Sequence, residues 1–215
     1  MDAVIARPRL HRLQIGDGCT PPAPGPLARL LRNGTLPSLS FGSVRGGSEP
    51  PAPVFDAVGA VVVADALRAN TTLTALSFDH SCLLRNMAAS VTLLGALVGH
   101  PSLSALEISG ELNLVPGGLG APLAALVAAD APALRKLRLK SIDLDDNSLA
   151  PLVNALAGNR YLRELDITDN YMSEAFMREQ LLPAAQHANE HRVFTVTGSD
   201  WLAADFALAA NRRGA

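Results

Sequence analysis

"LRELDITDN", residues 162–170, sets Leu162, Leu165 and Ile167 at fixed intervals, and "LRKLRLKSI", 28 positions earlier, opens at Leu134 with the same spacing on different polar letters. The shared element is L-x-x-L-x-(apolar). One recurrence carries no weight, so the fold depends on how far this beat extends along the chain.

It extends over most of it. Complete matches are Leu10, Leu13, Ile15; Leu36, Leu39, Phe41; Leu73, Leu76, Phe78; Leu103, Leu106, Ile108; Leu134, Leu137, Leu139; and Leu162, Leu165, Ile167. Their starts lie 26, 37, 30, 31 and 28 residues apart, a period that marks a solenoid in which each unit buries its face only against its neighbours. Apolar residues at helical spacing follow each match. They are Leu149, Leu152, Val153 and Leu156 after the fifth; Leu119, Leu123, Leu126 and Val127 after the fourth; Val91, Leu94 and Leu97 after the third; and Val58, Val63 and Leu67 after the second. The first match is followed by the short "PLARLLRNG". The repeating unit is strand, loop, helix, loop, and the fold class is α/β.

Strand geometry accounts for the fixed leucines. Alternate side chains of a strand face opposite ways, so the second leucine and the apolar residue two later point inward. Parallel strands stacked about 4.8 Å apart then need apolar residues at matching depth in every layer. The letters between them face outward and are free to vary.

Composition narrows the function classes. The chain has 215 residues, 48% of them hydrophobic, which is ample for a core, and a formal net charge of −2. No Lys/Arg run exceeds a pair, so a row of phosphates or an anionic membrane is not an expected partner. Runs such as "AVVVADAL" break well short of the ~18 residues of a membrane span, and "MDAVIARPRLHRL" lacks a secretory apolar core. Cys19 and Cys82 are too few for a disulfide scaffold. A monomer working in the cytoplasm is the expectation.

The organisation expected is a solenoid over residues 1–194 and a C-terminal cap over 195–215. "GSVRGGSEPPAP" forms a Gly/Pro-rich insertion loop at about 43–53. The tail reads as an edge strand at His191–Val196, then a helix from Ser199 or Asp200 carrying Trp201, Leu202 and Phe206, which would cover the open end of the stack.

The beat, its helical second half and the phrases "ALRANTTLTAL", "ALAGNRYLREL" and "DNYMSEAFMREQLLPA" resemble leucine-rich repeat proteins of the ribonuclease-inhibitor-like type over roughly residues 8–194. More narrowly, they resemble the repeat regions of bacterial effectors delivered into host cells by type III secretion. The resemblance implies a curved solenoid of about six repeats, with parallel strands on the concave side and helices on the convex side. It also implies recognition of a partner protein through the concave face, in the cytoplasm or after secretion into a host cell without a cleaved signal peptide. The turn asparagine usual in that family stands at Asn170, whereas Gly18, Val44, Ser81, Glu111 and Ile142 hold the matching places. Some relatives carry an F-box or ubiquitin-ligase domain, which is not visible here; a substrate-recognition subunit of such a ligase is the alternative reading.

No catalytic constellation emerges. His80 and Cys82 in "DHSC" lack oxyanion donors and an orienting third group. Cys19 and Cys82 share one repeat position two units apart, about 9.6 Å by strand spacing and beyond disulfide reach. "DLDDN" (143–147) and "DITDN" (166–170) lack the glycine and terminal glutamate of a calcium loop. Asp146 or Asn147 fits a helix N-cap instead, as does Ser173. His11, His80, His100, His187 and His191 show no zinc spacing, and "GELNLVPGGLG" lacks the Lys-Ser/Thr of a phosphate loop. No cofactor or metal is expected.

The outward strand positions form the candidate surface. Their middle is small and polar, and the last three units hold nearly all the charge: Glu107; Lys136, Arg138, Lys140; Glu164, Asp166. The register expected pairs Lys136 with Glu164 and sets Arg138 between Glu107 and Asp166. The columns fit either a recognition patch or a self-neutralised ion ladder holding the strands in register. Tyr161, Tyr171 and Met172 would flank them at loop edges. The candidate protein-binding residues are Arg138, Lys136, Lys140, Glu107, Glu164, Asp166 and Tyr171.

Overall fold

The structure is a computed structural model that describes residues 11–15, 23–42, 55–79, 86–110, 118–191 and 195–197. Strand and helix alternate: β1 (Arg12–Ile15), α1 (Pro24–Arg32), β2 (Ser38–Gly42), α2 (Ala57–Ala69), β3 (Ala75–Asp79), α3 (Met87–Leu97), β4 (Ala105–Ser109), α4 (Gly120–Ala128), β5 (Lys136–Lys140), α5 (Asp146–Leu156) and β6 (Glu164–Asp166). A short α6 (Glu174–Phe176) runs through a π-helical turn (Met177–Leu181) into α7 (Leu182–His191), followed by β7 (Thr195–Thr197).

The seven strands form one sheet in chain order, every pair parallel. Each of β1–β6 begins two residues after the opening leucine of a match. The register carries Leu13, Leu39, Leu76, Leu106, Leu137 and Leu165 across the sheet in one row, which ends on Val196. A second row holds Ile15, Phe41, Phe78, Ile108 and Leu139. From β2 to β6 these residues are almost fully buried, each worth about 1.5–3 kcal/mol relative to exposure. The Phe41 and Phe78 rings stack at 5.3 Å and 7°, and Phe55 meets Phe41 edge-on at 5.9 Å. The architecture is therefore a repeat-like parallel α/β stack with a continuous core between sheet and helices.

Helix starts follow local capping chemistry. Asp56 accepts from the Gly59 N–H, Asn86 from Ala89, Asp145 from Ser148 and Ser173 from Phe176, each cap contributing about 1 kcal/mol. Ser173 caps as expected. The cap of α5 is Asp145, not Asp146 or Asn147; Asp146 instead accepts from the backbone N–H and hydroxyl of Ser173, tying this helix start to the next.

The expected inward faces hold for α4 and α5; in α2 and α3 they hold at Val63, Leu67, Leu94 and Leu97 and need correction at Val58 and Val91. Val58 is 73% exposed and Val91 41%, while Gly59, Ala60, Ala64 and Ala66, and Ala89, Ser90, Leu93 and Ala96, are buried. These helices are apolar nearly all round, so periodicity does not select a face, and close helix packing favours the small residues. α3 and α4 contain no charged residue, and the one Asp65–Arg68 pair of α2 closes on itself at 2.7 Å. At Gly120 an added Cβ would lie 2.6 Å from the Ser148 carbonyl oxygen, so α4 and α5 touch backbone to backbone there.

The expected edge strand is found at Thr195–Thr197, paired with β6, whereas His191, expected to open it, ends α7; residues 192–194 lie outside the described residues. The insertion loop, Cys19, His80, Cys82 and the cap helix with Trp201 lie outside the described residues.

Candidate interaction surface

The outward side chains of β4–β6 are positioned by a register identical to the one expected: Glu107 opposite Arg138, Arg138 opposite Asp166, and Lys136 opposite Glu164. Their contacts are partly different. Glu164 is the hub. Its Oε1 accepts from Arg138 Nε and Nη2 at 2.9 and 2.7 Å, and its Oε2 lies 3.0 Å from Lys136 Nζ. Glu107 reaches Arg138 Nη1 at 3.9 Å, and Lys140 lies 3.8 Å from Asp166.

The two cations, Lys136 foremost, hold the Glu164 carboxyl below its ordinary range, and the Glu164 bond raises the Arg138 guanidinium in turn. Both directions describe one satisfied cluster open to solvent: 41% of the Arg138 side chain is exposed and 52% of Lys136.

Asp166 departs from the expected outward column. It is buried, and its carboxylate accepts from the backbone N–H and hydroxyl of Thr168. The two bonds turn the side chain back over the strand end, so it serves the turn more than the surface. Ser40 on β2 is buried as well. Tyr171 is 74% exposed, whereas Met172 packs against the core and Tyr161 is half-buried. The structure thus brings Glu107, Lys136, Arg138, Lys140 and Glu164 together on one face and leaves Tyr171 at the strand-end side, where its N–H bonds the Leu144 carbonyl.

Asn170 satisfies backbone groups on both sides of the turn after β6. Its amide accepts from the Ile142 and Leu144 N–H groups and donates to the carbonyls of Leu139, Ile167 and Thr168. A second polar ladder, at the opposite edge of the sheet, escaped the sequence reading. Asn70 donates to the Leu31 carbonyl at 2.5 Å and accepts from the Thr72 and Leu73 N–H groups. Asn159 repeats this with Val127, Tyr161 and Leu162. His100 is the rung between them: its Nε2 lies 3.1 Å from the Leu67 carbonyl and its Nδ1 accepts from Ser102 and Leu103. A carbonyl only accepts and an N–H only donates, so His100 is neutral with its proton on Nε2. Aligning the residue three before each opening leucine from the second onward would have found the series Asn33, Asn70, His100, Ala131, Asn159.

Among the described residues no group of three or more His, Cys, Asp or Glu could hold a metal ion, and no helix is long and apolar enough to cross a membrane. No family model matches the chain, and no curated protein sequence matches it significantly.

Proposed function

We propose that the chain is a leucine-rich repeat module of the ribonuclease-inhibitor-like type that binds a partner protein, without catalysis, through the outward face of its sheet. The observation that carries this reading is the Glu107–Arg138–Glu164–Lys136 cluster: ionic side chains fixed in place by one another yet open to solvent, on the outward face of β4–β6. Such surface pairs hold by only about 0.2–1 kcal/mol each, so a partner can exchange them, and the fixed guanidinium loses little freedom on binding. Arg138 is the centre of the site, with Lys136, Lys140, Glu107 and Glu164 around it. The phrases shared with type III secreted effectors support a working place inside a host cell.

The test is capture from host-cell lysate on the immobilised chain beside an Arg138→Glu variant of unchanged circular dichroism. A partner held by the parent, lost by the variant and rebinding as purified protein would support the sheet-face reading. Equal retention by both would overturn it. Ubiquitin transfer by the chain alone, supplied with activating and conjugating enzymes, would overturn the non-catalytic reading.

A further inference from the structure

At the edge where β5 and β6 begin, the guanidiniums of Arg135 and Arg160 lie 5.2 and 5.6 Å from the ring centroid of Tyr161, within cation–π range. Arg135 Nη1 also donates to the Tyr161 carbonyl at 3.3 Å. Arg160 is held independently: Asp130 accepts from its backbone N–H at 2.6 Å and from its Nε at 2.7 Å, although 76% of the Arg160 side chain is exposed. Asp130 has φ 48°, a left-handed conformation that the equivalent residue of the preceding unit, Gly99 at φ 70°, adopts without strain. A place suited to glycine is thus given to the carboxylate that fixes Arg160.

Arg163, one residue beyond Leu162, is exposed on the same edge, and among the described residues neither it nor Arg135 makes an ion pair. With Arg160, three cations stand beside one anion, Asp130, a local excess of positive charge in a chain of net charge −2. Units further back hold the Arg135 position with Thr74 and Ser104, whose hydroxyls bond neighbouring carbonyls. The arginines therefore replace side chains that served the turn.

We propose that this edge, with Tyr161 between Arg135 and Arg160 and Arg163 beside them, is a docking site for an acidic segment of a partner protein. Guanidiniums held beside a ring keep further N–H donors, Arg135 Nη2 and both Nη of Arg160, in the planar array that carboxylates match. Tyr and Arg are also the residues in which interface energy concentrates. A patch this small lacks the row of cations that a nucleic-acid backbone requires. The site lies off the outward sheet face and stands whether or not Arg138 binds anything.

The experiment is fluorescence anisotropy of a labelled oligoglutamate peptide titrated with the parent chain and with Arg163→Glu, Tyr161→Ala, Asp130→Gly and Arg138→Glu. Arg163 is exposed and its side chain makes no hydrogen bond or ion pair among the described residues, so its variant is the one expected to keep the fold and remain informative if the others do not. Salt-sensitive binding, weakened about tenfold by Arg163→Glu and Tyr161→Ala and severalfold by Asp130→Gly but little changed by Arg138→Glu, is the result expected. Absence of binding, or equal weakening by Arg138→Glu, would overturn the proposal. So would tighter binding of an oligonucleotide or of phosphatidylserine vesicles, or Arg163-dependent self-association in sedimentation, which would make another class of molecule or a second copy the occupant.

Discussion

Arg138 stands directly opposite Asp166 in the sheet register but donates both of its short hydrogen bonds to Glu164, two residues earlier on the same strand. Asp166 is committed to Thr168, so the guanidinium takes the diagonal acceptor, within reach of a long side chain.

Glu164 should therefore be the more sensitive partner. Its pKa is lowered in the folded state by Lys136 first and Arg138 after it, so its contribution is present above the ordinary carboxylate range and is lost as pH falls through the depressed value. Glu164→Gln is expected to reduce the unfolding free energy by less than about 1 kcal/mol near neutral pH and to flatten the acid limb of a stability–pH curve. Asp145, lowered by its Ser148 bonds, should keep part of that limb in the variant. Urea unfolding from pH 3 to 7 checks this.

His100 makes the ladder pH-sensitive. Burial lowers its pKa below the ordinary imidazole value of about 6.5, and protonation of Nδ1 would cancel the acceptor for Ser102 and Leu103. The unfolded chain then binds the proton at higher pH than the folded one. Stability is thus complete above about pH 6.5 and declines as pH falls from there toward the lowered folded value. His100→Asn, which copies the neighbouring rungs, should remove this slope, as read from the difference between parent and variant in urea titrations at pH 7.5 and 5.5.

Asn159→Ala would leave the Val127 carbonyl and the Tyr161 and Leu162 N–H groups short of a partner. A loss of about 2–4 kcal/mol is expected, measured by chemical denaturation. Ala131→Asn is the reciprocal test. His100 donates to the carbonyl of Leu67 while the Asn70 N–H bonds the same oxygen, and the His100 N–H likewise bonds the Leu97 carbonyl, which an amide at 131 would reach. A gain of about 0.5–1.5 kcal/mol is expected.

Gly120→Ala should destabilise the chain by about 1–3 kcal/mol, because its Cβ would meet the Ser148 carbonyl at 2.6 Å and backbone cannot step aside as a side chain can. Gly95→Ala, with open space around its Cβ position, is the control, expected to leave the thermal midpoint unchanged or raised.

The parallel register was legible because leucine depth is a packing constraint that every layer must satisfy, and Leu39 through Leu165 obey it without exception. The facing of α2 and α3 was legible only in part: Val63, Leu67, Leu94 and Leu97 turn inward as read, but a helix apolar all round offers no phase to place Val58 and Val91. The charged columns were visible as positions, yet the choice of Glu164 over Asp166 depends on a turn bond to Thr168 that spacing does not encode. The asparagine ladder was hidden because His100 and Ala131 interrupt its letter while the backbone geometry continues.

The absence of charge from α3 and α4 sets the middle of the stack apart from the charged layers that follow it in its response to the medium. Added salt weakens the ion pairs of β4–β6 and of Asp130 with Arg160, but has no charge to act on along the middle helices. In a stack where each layer leans on the next, rising ionic strength should loosen amide protection from the C-terminal layers inward, leaving β2–β3 with its stacked phenylalanines as the last region to exchange.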